Sequence, residues 1–435
     1  MFFILMQQDS TSRKLAVYYY VLFDVSSGIC YSMIRGEELM KKPELLAPAG
    51  NLEAVKTALR FGADAVYIGG EMLQLRARSA GFSIDNIKKA SQLVHSASKK
   101  LYVTVNALAF SKELDAVGNY ALLLKNSGVD AAIISDLGVL DIIHNVCPEL
   151  ELHISTQASC QNYASALAYY RHGARRIVLA REMSIEDIRD MKKDLPSDLE
   201  LEAFVHGAMC MAVSGRCILS SALLGRSANR GSCAQPCRWN YHLVEETRPN
   251  QYFPIEEDGS TAILSSRDLN CISFLDELQE AGVSSFKIEG RMKTEYYVAV
   301  VTNAYRHAID HSAPIDLLSH ELETISHRPY TTGFYYGELP KDHFNKGSYI
   351  QEYSFCGIVH SIDNNTAYIE QRNRFKVGDV LEIISPENLG QSIYVDSIIN
   401  SHGNSVPDAS LVQEIVGIPA SPSLLPGDFL RIKCK

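Results

Sequence analysis

The chain has 435 residues, 46% hydrophobic and 21% charged, with a formal net charge of −10. These are ordinary globular values, and the length suggests two or three domains or one large barrel plus a small domain. The acidic balance excludes a generic basic nucleic-acid coat, so an RNA contact must be a local patch; with no apolar run of about 18 residues, no membrane partner is expected.

Residues 1–39 are aromatic and weakly patterned and lack the cleavage logic of a signal peptide. Met40 opens MKKPELLAPAG, which reads as an ordinary start followed by a first strand. Arg35-Gly36-Glu37-Glu38 is encodable by a purine-rich ribosome-binding stretch. Residues 1–39 are therefore expected to be a mis-called start or a disordered N-terminal extension.

From Pro43 the chain alternates apolar β-rich runs with helical patterns. The runs are 44–50, 65–70, 100–106, 131–136, 151–157, 176–182, 201–207 and 285–291. Between them lie amphipathic stretches such as NLEAVKTALRFG and SIEDIRDMKKDL, the latter opening on a Ser184 cap with acids in its first turn. A glycine-led entry recurs before the strands at Gly62, Gly128, Gly173 and Gly282. Eight βα units predict a (β/α)8 TIM-like barrel over 42–340, with a doubly wound open sheet as the alternative. Barrel active sites sit at the C-terminal strand ends, which makes Asn106, Asp136, Gln157, Arg181, Glu182, His206, Glu289 and Arg291 the candidates; each is equally able to serve as a helix cap.

The last unit is interrupted by an insertion after strand 7, spanning 208–284. Long insertions at the catalytic end hold lids and cofactor clamps. It carries Cys210, Cys217, Cys233 and Cys237 in a C-x6-C-x15-C-x3-C spacing, amid Arg216, Arg226, Arg230 and Arg238 and without acids between Ala203 and Val244. Ten cysteines in the chain, six of them scattered singly, do not make a disulfide framework; with no signal peptide, a cytoplasmic location is expected. Clustered thiols favour a metal. The x6 spacing fits zinc knuckles poorly, whereas an Fe–S cluster tolerates irregular spacing and often has Pro beside a ligand, as Pro236 is here. Cys271 is a spare fourth ligand. After residue 345 the pattern becomes strictly alternating, with turns at Asp363-Asn364-Asn365, Val377-Gly378-Asp379 and Pro426-Gly427-Asp428, and predicts a small antiparallel β-barrel domain over 345–435.

No G-x-S-x-G elbow or H-E-x-x-H is present. His206, four residues before Cys210, forms a conceivable Cys–His pair, but the neighbouring thiols favour ligation over nucleophilic attack.

The segments EAFVHGAMC and SGRCILS, with PELLAPAGNLEAVKTALRFGADAVYIGG, ISTQASCQN, NRGSCAQPCRW, SSRDLN, SFKIEGRMKTEYYVA and HRPYTTGFYYG around them in order, resemble the U32 "peptidase" family from about Lys42 to the end. The resemblance implies a barrel holding a [4Fe–4S] cluster on Cys210, Cys217, Cys233 and Cys237, with Cys271 or zinc as the alternatives. It is nearest to the branch that makes 5-hydroxyuridine at the tRNA wobble position with prephenate as hydroxyl source. On that reading the catalytic candidates are His206, Glu289 and Arg291. Arg76, Arg78, Arg181 and Arg291 are the cations for a small dicarboxylate co-substrate. Asn106 and Gln157 line the substrate site, and Arg216, Arg230 and Arg238 face tRNA phosphates, with Trp239 or a Tyr stacking on an extruded base. The alternatives are a peptidase acting on collagen-like protein and a zinc-stabilised RNA-binding module without catalysis.

Overall fold

The structure is a computed structural model. It describes residues 42–75, 81–209, 217, 219–239, 267–337 and 349–434, without the side chains of 222, 229 and 238. It also gives backbone strands at Phe3–Ile4, Tyr19–Asp24, Ile29–Ile34, His242–Val244 and Tyr252–Pro254. Residues 1–42 form a unit of their own, in which the three N-terminal strands pair antiparallel in sequence order.

In the rest of the chain each of the eight expected runs becomes a strand. These are β1 Glu44–Pro48, β2 Ala65–Gly69, β3 Lys100–Val105, β4 Ala131–Ile134, β5 Glu151–Ile154, β6 Ala174–Val178, β7 Glu200–Ala208 and β8 Ser285–Ile288. They pair parallel in order, and β8 pairs with both β7 and β1, so the sheet closes. Closure rules out the open sheet. The outward faces of the strands are apolar because the helices cover them. The outer layer is α1 Leu52–Arg60, α2 Ile84–Ser96, α3 Val117–Asn126, α4 Leu137–Val146, α5 Tyr163–Arg171, α6 Ile185–Lys193, α7 Leu275–Glu280 and α8 Glu295–Ile309.

The loops follow from residue chemistry. At the β-to-α ends, Asn51, Ser83, Asp136, Asn162, Ser184 and Thr294 each cap a helix through a side-chain oxygen. Asp136 is therefore committed to capping α4. At the α-to-β ends Gly62, Gly128, Gly173 and Gly282 take φ values of 94°, 82°, 93° and 101°, a region costly for side-chain residues.

Beyond the rim β7 continues outward and pairs antiparallel with Asp268–Asn270, which in turn pairs parallel with Tyr330–Thr331. The C-terminal strands form an open antiparallel sheet that curls into a half-barrel. Tyr353–Asp363, β9, is central, flanked by Thr366–Gln371 and Phe429–Lys433. The sheet is fixed to the barrel by buried Arg431, which holds Glu321 through its two terminal guanidinium nitrogens at 2.9 and 2.7 Å, and by Tyr296 stacked on Phe355 at 5.1 Å. Among the described residues no helix is long and apolar enough to cross a membrane.

The barrel interior is unusually polar. Leu46, Ala65, Tyr67, Tyr102, Ala131 and Ile133 form its apolar part. Toward the N-terminal end Arg176 bonds Glu44, Glu200 and Glu202 at 2.6, 2.6 and 3.1 Å, and Lys287 bonds Glu202 at 2.7 Å. Burial opposes charge on Glu202, but Lys287 and Arg176 outweigh it and hold the carboxyl down at about 2.

Candidate active site at the barrel mouth

At the C-terminal end of the strands, β8 delivers Glu289 and Arg291. The Nη1 of Arg291 donates to Thr104 Oγ1 at 2.7 Å and to Gln74 Oε1 at 3.4 Å. This clamp needs Gly69: a Cβ there would stand 2.2 Å from both Arg291 Nη1 and Gln74 Oε1. Arg181 lies over the Phe204 ring at 4.2 Å, and Lys287 lies over the Tyr67 ring at 4.5 Å. The Tyr67 hydroxyl donates to the Ile288 carbonyl at 2.9 Å and reaches Glu289 Oε2 at 3.4 Å. Tyr67 and Phe204 thus separate the buried charge layer from the polar mouth.

Across the mouth, Asn106 Nδ2 donates to Ser155 Oγ at 3.1 Å, while its buried Oδ1 has no partner. An unpaired buried acceptor is costly unless a ligand donor meets it. Gln157 sits in the short turn Thr156–Ala158, whose backbone is pinned to Ser155. Asn106, Gln157, Arg181, Glu289 and Arg291 therefore share one end of the barrel. Tyr67, Gln74, Thr104 and Ser155 are the site residues that the strand-end rule misses. Thr104 is visible only as a polar residue inside an otherwise apolar run.

His206 is placed differently. A bulge in β7 at Val205 turns it out of the barrel, where it is 1% exposed. Its ring lies 6.0, 5.4 and 5.5 Å from those of Tyr297, Tyr305 and Tyr330, and Nδ1 meets the Tyr305 hydroxyl at 3.3 Å. Burial, with His327 and Lys293 nearby, pushes the imidazole down to about 3, so it is neutral at physiological pH. Its folded value lies below the unfolded one near 6.5. The unfolded chain therefore binds the extra proton between those values, and His206 stabilises the fold fully above about pH 6.5 and progressively less toward 3. In denaturant titrations, a His206→Asn variant is expected to lose stability less steeply than wild type as pH falls through that window. Parallel curves would show that His206 already binds its proton in the folded state. Gly207, next in line, needs its φ of 105°, since a Cβ would lie 2.6 Å from the Glu289 carbonyl.

In the insertion, helix Leu219–Leu224 packs on the turns Ala228–Arg230 and Pro236–Arg238, with Ser220 Oγ accepting from Ala234 N at 3.0 Å. This draws together the segments bearing Cys217, Cys233 and Cys237, all half-buried. The sulfurs of Cys217 and Cys233 each accept a backbone N–H from two residues on, at 3.3 Å. Backbone N–H bonds to sulfur are one of the means by which a protein tunes a metal-bound thiolate. Arg226 braces the loop through the carbonyls of Ser232 and Cys233. Cys217, Cys233 and Cys237 are soft thiol donors of the kind that hold iron–sulfur clusters or zinc. Cys210 lies outside the described residues, and among those residues no three His, Cys, Asp or Glu side chains form a metal-holding group. Cys271 is fully buried in the apolar core, where burial pushes its thiol up, an environment unlike that of the loop cysteines.

Arg230 is engaged with the barrel: it pairs with Glu113 at 2.7 Å and lies over Phe110 at 4.2 Å. It fastens the insertion to the loop after β3. Arg76, Arg78, Arg216 and the side chain of Arg238 lie outside the described residues.

Residues 50–345 match peptidase family U32, and residues 351–431 match the peptidase family U32 C-terminal domain. The chain is 35% identical over 412 residues to tRNA hydroxylation protein P1 of Bacillus subtilis, spanning 92% of this chain and 97% of that protein. It is 34% identical over 418 residues to tRNA hydroxylation protein P of Escherichia coli, spanning 85% and 92%. A Porphyromonas gingivalis relative named collagenase is 31% identical over 409 residues, spanning 89% and 97%.

Proposed function

The chain belongs to peptidase family U32, and on that premise we propose that it is an RNA-modifying enzyme that hydroxylates the wobble uridine of tRNA to 5-hydroxyuridine. Prephenate is the proposed hydroxyl source and a [4Fe–4S] cluster the proposed cofactor, on Cys210, Cys217, Cys233 and Cys237. The supporting observation is a mouth that sets a clamped guanidinium, Arg291, and a partnerless buried acceptor, Asn106 Oδ1, at the end of the barrel from which the thiol-bearing insertion departs.

The chain's own groups divide the work. Arg291, held by Thr104 and Gln74, presents a fixed cation to one carboxylate of the co-substrate, and Arg181 on the Phe204 ring presents a second. Asn106 Oδ1 accepts a proton donor such as the uracil N3–H. Glu289, oriented by Tyr67, takes the proton that leaves C5 when hydroxyl replaces hydrogen there. That replacement oxidises the base by two electrons, and the co-substrate is reduced by the same two: its C–O bond breaks, its hydroxyl passes to C5, and a proton takes the oxygen's place on the donor carbon. A bound cluster supplies one-electron transfer and polarisation of a ligand oxygen. His206, neutral and enclosed, positions the end of β7 and does not shuttle protons.

The test is nucleoside analysis of tRNA from a strain lacking the gene and any paralogue. Loss of 5-hydroxyuridine-derived nucleosides is expected, and re-expressed Arg291→Lys is expected to restore the modification about 10²-fold more slowly, because an ammonium cannot reproduce the planar fork. Unchanged tRNA in the deletion strain, with gelatin digested by the purified protein, would establish the peptidase reading suggested by the collagenase-named relative.

A further inference from the structure

One residue beyond Arg291 the chain enters a second concavity, a groove of about 400 Å³ between the loop after β8 and the C-terminal domain. Its working surface combines Met292, Lys293, Tyr349, Gln351 and Asn373. Three properties distinguish it. First, it offers aromatic and thioether surface to solvent: Tyr349 is 48% and Met292 59% exposed, backed by buried Tyr297 and Tyr353. Second, it is cationic. Lys293 Nζ lies 5.1 Å from the Tyr297 ring centre and 5.2 Å from that of Tyr349, and no carboxylate pairs with it among the described residues. Arg328 lies 5.1 Å from the Tyr349 ring and donates to its hydroxyl at 3.2 Å. Third, among the described residues no Asp or Glu lines the groove, although acids outnumber Lys and Arg 51 to 41 in the chain.

We infer that this groove binds an unpaired nucleotide next to the base that enters the barrel mouth. The inference rests on the RNA reading above and adds to it a second, separate subsite. Base–aromatic stacking needs an exposed π-face, which a paired base does not present. Tyr349, held at its hydroxyl by Arg328, supplies a fixed platform, with Met292 beside it. Lys293 is positioned to leave the rings for a backbone phosphate. Asn373 donates from Nδ2 to the Phe355 carbonyl at 2.7 Å, which orients the amide with Oδ1 toward a base-edge donor. Because Arg291 and Met292 are consecutive, a strand whose target base sits at Arg291 runs directly into the groove. The groove thereby couples recognition of a loop, rather than a duplex, to the reacting base. An aromatic groove with a lysine also suits some peptides, but its place beside the mouth favours the nucleotide.

The test uses the full-length protein, purified anaerobically, and a labelled anticodon stem-loop RNA, with the same sequence annealed to its complement as control. Wild type is expected to prefer the loop. Tyr349→Ala is expected to weaken loop binding about tenfold or more while leaving duplex binding unchanged, and Tyr349→Phe to retain most of the affinity. Lys293→Ala is expected to reduce the slope of log affinity against log salt by about 0.7, the contribution of one single-strand phosphate. Equal loop affinity for wild type and Tyr349→Ala, at unchanged thermal midpoint, overturns the subsite and leaves the tRNA reading intact. Failure of wild type to bind any RNA overturns both. Binding of a collagen-like peptide that loop RNA does not displace overturns the nucleotide assignment.

Discussion

Arg176→Met is expected to destabilise the barrel by about 3–5 kcal/mol, a large part of the 5–15 kcal/mol typical of a folded protein. Arg176 is inside the closed sheet, where three carboxylates converge on one guanidinium: Glu44 and Glu200 at 2.6 Å, and Glu202, 0% exposed, at 3.1 Å. Burial disfavours the cation, yet Glu44, Tyr102 and Glu202 hold its pKa well above the usual arginine value. Removing it leaves Glu44 with only the hydroxyls of Tyr102 and Ser285, at 2.7 and 3.0 Å, and Glu202 with Lys287 as its one bonded cation. An uncompensated buried carboxylate is more costly than the whole ion cluster replaced by apolar groups. A thermal or denaturant midpoint measures the loss. Adding Glu202→Leu and Lys287→Met to the variant is expected to recover part of it, since the orphaned charges are then gone. A single Arg176→Met variant as stable as wild type would mean that water reaches this layer and screens it.

This layer was the least legible part of the sequence. All eight strands are legible because each carries a short apolar run whose outward face the helices cover, and the glycine and cap residues mark the loops between them. The same rule led past Arg176, Glu202 and Lys287, which interrupt those runs. A charged residue inside an apolar strand reads as noise until the topology brings three such strands together. Strand-end polarity found Asn106, Gln157, Arg181, Glu289 and Arg291 at the mouth, but it also selected Asp136, whose oxygen caps α4, and His206. The bulge at Val205 decides the case of His206. One extra residue in β7 reverses the facing of the residues after it, so a side chain counted to the mouth stands in a tyrosine cage. Arg230 read as a phosphate contact because the insertion holds no acid; its partner, Glu113, comes from the loop after β3, 117 residues away. Local charge composition cannot see a long-range pair.

The cysteines carry the second large effect. Alanine at Cys210, Cys217, Cys233 or Cys237 is expected to remove nearly all iron, from about four per chain, and with it the brown colour and tRNA hydroxylation. Cys271→Ala is expected to keep iron and colour and to lose only a little stability. The distinction follows from environment. The Cys217 and Cys233 sulfurs are half-buried on the loop and accept backbone N–H bonds at 3.3 Å from residues two further along, and Arg226 braces that loop through the Ser232 carbonyl. Cys271 instead sits 0% exposed among apolar side chains, its backbone N–H donating to the Tyr305 hydroxyl at 3.1 Å, where burial holds the thiol protonated. A protonated core thiol would have to be ionised and moved to join a cluster on the half-buried loop. Iron content measured on anaerobically purified variants separates the cases without reference to activity. Iron retained in Cys237→Ala but lost in Cys271→Ala would reverse the assignment of the fourth ligand. A colourless wild type with one tightly bound zinc would replace the cluster by a structural site, and would remove the source of one-electron chemistry from the proposed reaction.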